Sequence, residues 1–528
     1  MLTPVHAQRS MIVAPHPLAA EAGQRVLREG GNAIEAIVAA AAAAAVVCPH
    51  LCGLAGDGLW LLARPGRPPL AIDATGAAGR AVSADDYRRL GLTQVSRRGP
   101  QAVATVPGAV AGWQTALDVS RHHWDGHLPL ARLLDDAIHL AEQGHAMSEG
   151  LARAAARAAD DLAGTPLAAL LLDHDGAPPT PGRRLTNPAL AQTLRGLATA
   201  GLDDFYRGAV GRAISADLKA LDSPLVSDDL AAHRSVRRRP LTLKTPTATV
   251  HDGPPPTQGL IALMVLGMAE RLAPETADGR DHAHGLIQAM RAAAAVRDRH
   301  LSDPRYMAVH PTTYLSDAML DQGAAALDRT RAQPGPPAIG MGGHGVWLGC
   351  IDAAGRAAGL SQGLHDPFGA GVVLRETGLT WTNQVRAFQL DPTRPNVLLP
   401  GRKPPHGLTA PIARLRDGRV MAMGGNGGAA QPLLQAWVAT RQVLFGQDPH
   451  VAMDAPRLRP GPDGDLDVLI EQSADAALAA DLERIGHRVT RVSARDDAMG
   501  HLGVVIRDPE GALTGVADPR GDGAAAGD

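Results

Sequence analysis

Three cysteines are all that the 528-residue sequence contains, at Cys48, Cys52 and Cys350. So odd and sparse a set makes no disulfide framework. Cys48 and Cys52 flank His50, but no second Cys/His cluster at ligand spacing accompanies them to complete a metal site. The simpler reading is a pair of small buried cysteines beside a proline turn, and neither a metal nor a cofactor is expected. An excess of one charge is also missing: 51 Lys and Arg stand against 54 Asp and Glu, a net charge of −3. The only short basic run, residues 237–239, ends at Pro240 and reads as a solvated loop, which argues against a nucleic-acid partner. Long apolar runs are absent too. The longest, residues 36–48, falls well short of the ~20 residues a membrane-spanning helix needs, and the first sixteen residues have no signal-peptide-like stretch. A cytoplasmic protein without membrane contact is the default expectation.

What is present is the composition of a globular chain, 45% hydrophobic and 20% charged. Residues 18–29 read as a helix stopped by Gly30 and Gly31, because glycine adopts the left-handed C-terminal conformation at little cost. Asn32, with Glu35 three residues on, forms a capping box for an alanine-rich helix ended by Pro49. Alanine combines high helix propensity with a side chain small enough for neighbouring backbones to approach closely. A strand is expected at 59–63, mainly helices over 130–220, strands over 241–250, and helices near 259–272 and 281–301.

The sharpest boundary is residues 333–343, where four glycines and three prolines among eleven residues exclude a helix or a central strand. Beyond it strands are expected at 346–351, 357–361, 371–374 and 379–382, with a hairpin turn at 352–355. A helix near 474–485, strands at 487–492 and 502–506, and a frayed tail at 521–528 follow. Helices, then a linker, then many strands argue for an α+β protein with a layered αββα architecture.

Several segments resemble the γ-glutamyltranspeptidase family, in the family's order: APHPLAAEAG at 14–23, LREGGNA at 27–33, FYRG at 205–208, PPPTQG at 254–259, FGAG at 368–371, DAPR at 454–457 and DPR at 518–520. GHGVWLGCID at 343–352, GRKP at 401–404 followed by His406, and DAMGH at 497–501 look like the oxamate amidohydrolase-like branch. The resemblance implies a four-layer αββα sandwich of N-terminal-nucleophile hydrolase type. It also implies a large-subunit-like region, 1–343, and a small-subunit-like region, 344–528, intertwined in one fold. In such proteins the chain cuts itself before a threonine, whose freed amino group then serves as base while its hydroxyl attacks an amide.

At the position the resemblance assigns to that threonine stands Gly345. Glycine can neither drive self-cleavage nor form an acyl-enzyme, and no Ser, Thr or Cys occurs between residues 331 and 349. Cys350 lies an odd number of residues away, and the period of two along a strand sends it to the opposite face. Gly427 and Gly428, within MGGNGG, match the family's oxyanion-hole pair, whose amides are worth roughly 3 kcal/mol of barrier each. The charged contacts for a γ-glutamyl group do not carry over. Thr75 stands where the arginine is expected, the acid expected after the Asn383–Gln384 pair is absent from the run Val385, Arg386, Ala387, Phe388, and the serine pair expected after the Arg402–Pro404 run is replaced by His406–Gly407. Thr75, Asn383, Arg386 and His406 are therefore candidate substrate contacts, with Arg386 and His406 suited to a small carboxylate.

Three functional readings stand on this sequence. One is an amidohydrolase or acyltransferase acting on a small amide other than γ-glutamyl. Another is an unprocessed pseudoenzyme that binds a small carboxylate or a partner subunit. A third is a structural subunit whose pocket holds nothing, and self-association is left open.

Overall fold

The structure, a computed structural model, describes residues 3–172, 179–336 and 344–528. Of the expected Pro/Gly linker, residues 337–343 lie outside the described residues. Two seven-stranded antiparallel sheets face each other. One runs Val5–Ala7, Leu513–Ala517, His501–Arg507, Val420–Asn426, Ile412–Leu415, Ala248–Asp252, Leu241–Lys244. The other runs Ala524–Gly527, Met11–Ala14, His344–Ile351, Ala357–His365, Asp57–Ala63, Leu70–Ala74, Val236–Arg238. Both sheets take strands from before and after residue 343.

Each sheet is covered on its outer face by helices, giving the four-layer αββα sandwich. The helix Ala33–Val47 is buried along its whole length against the second sheet. Its capping box forms as expected: the Asn32 side chain accepts from the N–H groups of Ile34 and Glu35, and Glu35 accepts from the Asn32 N–H. Alanine and glycine set its spacing from the preceding helix, Pro17–Arg28, since a Cβ on Gly23 would sit 2.9 Å from the Ala36 carbonyl oxygen. Helices Gly259–Leu272, Arg280–His300 and Gln431–Val443 cover the first sheet.

Strand periodicity decides which side chains enter the space between the sheets. On His344–Ile351, Trp347 and Ile351 point into the inter-sheet core, whereas Val346, Leu348 and Cys350 join the helix-side core. The Trp347 indole fits because its surroundings are glycine. A Cβ at Gly349, Gly424 or Gly503 would come within 3 Å of it, and one at Gly359 within 3.3 Å.

Two expectations are corrected. The tail is not frayed: Ala524–Gly527 pairs with Met11–Ala14, and the Asp528 carbonyl accepts from the N–H groups of Gln8, Arg9 and Ser10. An added strand satisfies backbone groups that a free end would leave to water. The strands expected at 371–374 and 379–382 reduce to one bridge, Val373 to Thr380, because the segment turns through positive φ at Gly369, Gly371 and Gly378.

Candidate functional site

The hairpin Asp352–Gly355 closes the central strand pair, with the Gly355 N–H donating to the Asp352 carbonyl. At the far end of that pair the register slips between His344 and Gly345. There Gly345 lines a cavity of about 490 Å³, together with Trp347, Gly427 and Gly428. The sheets hold Gly345 from both sides: Asn426 Nδ2 donates to its carbonyl oxygen at 3.1 Å, and its register partner is Gly363. A Cβ built on Gly345 would lie 2.7 Å from the Gln362 carbonyl oxygen, so any larger residue requires the backbone to move.

Gly427 and Gly428 leave the end of strand Val420–Asn426 and lead into the helix Gln431–Val443. Gly428 has φ +56°, a conformation that L side chains resist. A Cβ on Gly427 would meet Leu434 at 2.7 Å. Gln258 fixes the turn by donating through Nε2 to the carbonyls of Gly428 (3.0 Å) and Gly407 (3.1 Å). Among the described residues neither glycine N–H has an acceptor. Two adjacent unengaged N–H groups on a cavity wall are what a carbonyl oxygen gaining negative charge requires.

No serine or threonine lines this cavity among the described residues. The one thiol in its wall, Cys48, is 2% exposed, and burial, with Cys52 and Asp522 adding to it, pushes its pKa well above the usual range. It is a neutral thiol and a poor nucleophile.

The four candidate substrate contacts do not line the cavity. Thr75 is fully buried and donates its hydroxyl to Asp73 Oδ1 at 2.5 Å. Asp73 is also paired with Lys403 Nζ at 2.8 Å, and Lys403 and Thr75 together hold its carboxyl below the ordinary range against the opposing effect of burial. His406 joins the same buried cluster, where burial drives its pKa down to about 3. Its Nε2 lies 3.9 Å from Asp57 Oδ2, and neither atom has a hydrogen-bond partner among the described residues. Burial pushes Asp57 up to about 7, partly offset by the Gly76 N–H, Lys403 and the Gly108 N–H. Asn383 and Arg386 lie elsewhere, around Asp366: Asn383 Nδ2 donates to Asp366 Oδ2 and to the Arg97 carbonyl, and Arg386 is ion-paired with Asp366.

Sequence reasoning passes over the charges that do line the cavity. Arg97 and Arg98 are visible only as a basic pair before Gly99–Pro100, Arg157, Arg459, Asp161 and Asp522 carry no motif signal of their own, and Asp497 lies in the DAMGH segment without being singled out as a contact. Asp497 pairs with Arg157 at 2.7 Å and with His501 at 2.5 Å, and these partners hold its carboxyl low in spite of burial.

Known proteins carry the same architecture. A family profile described as Gamma-glutamyltranspeptidase matches residues 19–528. The chain is 42% identical over 520 residues to the oxamate amidohydrolase proenzyme of Klebsiella pneumoniae, covering 98% of each chain. It is 32% identical to the glutathione hydrolase-like YwrD proenzyme of Bacillus subtilis, again covering 98% of each. Among solved structures, cephalosporin acylase from Bacillus halodurans superposes with a TM-score of 0.91 at 29% identity, over 99% of this chain and 97% of that one. Sheet order, helical cover and matched sequence together place the chain in the γ-glutamyltranspeptidase family, with its oxamate amidohydrolase-like branch.

Proposed function

We propose that this protein is an unprocessed member of its family that keeps the amide-binding cavity of an amidohydrolase but does not turn substrate over. The observation that carries this reading is Gly345, which occupies the wall position beside the unengaged Gly427 and Gly428 amides and has no hydroxyl or thiol to attack with. Self-cleavage and amide hydrolysis need the same nucleophile, so one missing side chain removes both. The fit of Gly345 against the Gln362 carbonyl supports a backbone settled around glycine. The names of the relatives, oxamate amidohydrolase and acylase, favour a small amide as ligand. The missing arginine at Thr75 and the missing acid after the Asn383–Gln384 pair speak against a γ-glutamyl group.

Intact-mass measurement on the purified chain, alongside an assay for ammonia release from oxamate, tests the reading. One species at 54.7 kDa and no release are expected. Two fragments meeting near residue 345, or catalytic release, would overturn it.

A further inference from the structure

The charges lining the Gly345 cavity are nearly all spoken for. Arg98 pairs with Asp161 at 2.7 Å, and Arg97 lies 3.4 and 3.5 Å from Asp161 and Asp366. Arg157 is taken by Asp497. Arg459, on the short strand Leu458–Pro460, is different. Its Nη1 donates to the Ala498 carbonyl at 2.8 Å and its Nε to the Pro460 carbonyl at 3.4 Å. Its Nη2 has no acceptor, and no carboxylate lies within ion-pair distance among the described residues. Two residues earlier, Arg457 takes the opposite course. It is fully buried and paired with Asp518 at 2.5 Å, within a network that also holds Glu471 and Arg520.

We propose that Arg459 anchors the carboxylate of a ligand whose amide lies against Gly345, Gly427 and Gly428, so that the protein takes amides bearing a separate carboxylate. This rests on the reading that the cavity binds an amide without turnover. A guanidinium held by neutral carbonyls in a partly dehydrated wall is undercompensated, and burial lowers its pKa, an effect that an anionic partner reverses. The acid left over, Asp522, accepts only from the Gly150 N–H and has no cationic partner among the described residues. It disfavours an anion at its own side of the cavity. A volume near 490 Å³ is within the range of small-molecule sites and exceeds what oxamate fills, so a spacer between amide and carboxylate fits.

The test compares oxamate, malonamate, succinamate and glutaramate with the matching uncharged diamides by calorimetry on the full chain. At least one monocarboxylate is expected to bind the wild type about 10-fold or more tightly than its diamide, the scale of a charge-assisted contact. Arg459→Gln is expected to abolish that preference, weakening the monocarboxylate about 10-fold more than its diamide. Arg459→Lys, which keeps a point charge but loses the planar fork, is expected to retain part of it. No preference at any chain length, or a full preference in Arg459→Gln, overturns the assignment. Should Arg459→Gln not fold, a full preference in Arg459→Lys overturns it. Intact mass judges the proposed lack of processing separately: an intact chain without carboxylate preference sinks only the Arg459 assignment, and a cleaved chain that loses its preference in Arg459→Gln sinks only the unprocessed reading.

Discussion

Two polar regions sit close together on the second sheet and solve opposite problems. Gly345, Gly363 and Asp57 are register partners across three adjacent strands, so about 10 Å separates the cavity wall from the buried Asp57 cluster. The cluster around Asp57, Asp73, Lys403, Thr75 and His406 is closed in on itself. Its acids are met by Lys403, by the Thr75 hydroxyl and by backbone N–H groups, and its one gap is the 3.9 Å between Asp57 and His406. The cavity is the reverse: among the described residues the Gly427 and Gly428 amides and the Arg459 Nη2 are donors without acceptors. Self-satisfied polar groups stabilise a fold, whereas unspent donors on a wall await a ligand.

The comparison breaks most sharply at Lys403. Lys403→Met leaves the buried Asp73 carboxylate with only Arg238, 4.0 Å away, as a cation and is expected to cost about 3 kcal/mol in urea unfolding. The double variant with Asp73→Asn is expected to recover most of that loss; no recovery would mean that the pair does not act as a unit.

Asp57 comes next. Its folded pKa, about 7, exceeds the ordinary carboxylate value, so the folded state holds the proton more tightly. The associated stability is complete below about pH 4 and is lost as pH rises through 7. Asp57→Asn removes this dependence and can still accept from Gly76 and Gly108. Its unfolding free energy relative to wild type is expected to climb from pH 4 to pH 8, by an amount on the order of 2–4 kcal/mol, as read by urea unfolding at each pH. His406 works in the opposite direction, because its depressed pKa makes protonation below pH 6.5 destabilising. A flat difference between Asp57→Asn and wild type would show that the cluster is more hydrated than its burial indicates.

On the cavity side, Gly345→Ala brings a Cβ against the Gln362 carbonyl and is expected to cost about 1–3 kcal/mol in the same unfolding measurement. A neutral result would mean that the strand end yields freely, which would remove one support for a backbone settled around glycine. The smallest effect is expected at Cys48→Ala, about 1 kcal/mol or less, with unchanged ligand binding, because the neutral thiol acts as a small apolar group. A large loss of binding there would give Cys48 a role in the cavity.

Much of the fold is legible in the sequence because it depends on local chemistry. The Asn32–Glu35 capping box, the Gly30–Gly31 stop and the Asp352–Gly355 turn are short-range patterns that tertiary contacts reinforce. The alternation that sends Trp347 between the sheets and Cys350 to the helices follows from strand geometry alone. The lack of any hydroxyl or thiol near residue 345 is likewise fixed by composition.

Tertiary structure decided the rest. Thr75 and His406 lie far apart in sequence, and only the sheet packing places both beside Asp73 and Lys403, away from the cavity. The tail Ala524–Gly527 has no strong strand pattern, and it becomes a strand because the edge of Met11–Ala14 offers it backbone partners. Arg459 looks like any other arginine until it is seen to have no carboxylate within ion-pair distance among the described residues. A motif reports which side chains a segment carries; which of them remain unpaired is settled by neighbours hundreds of residues away.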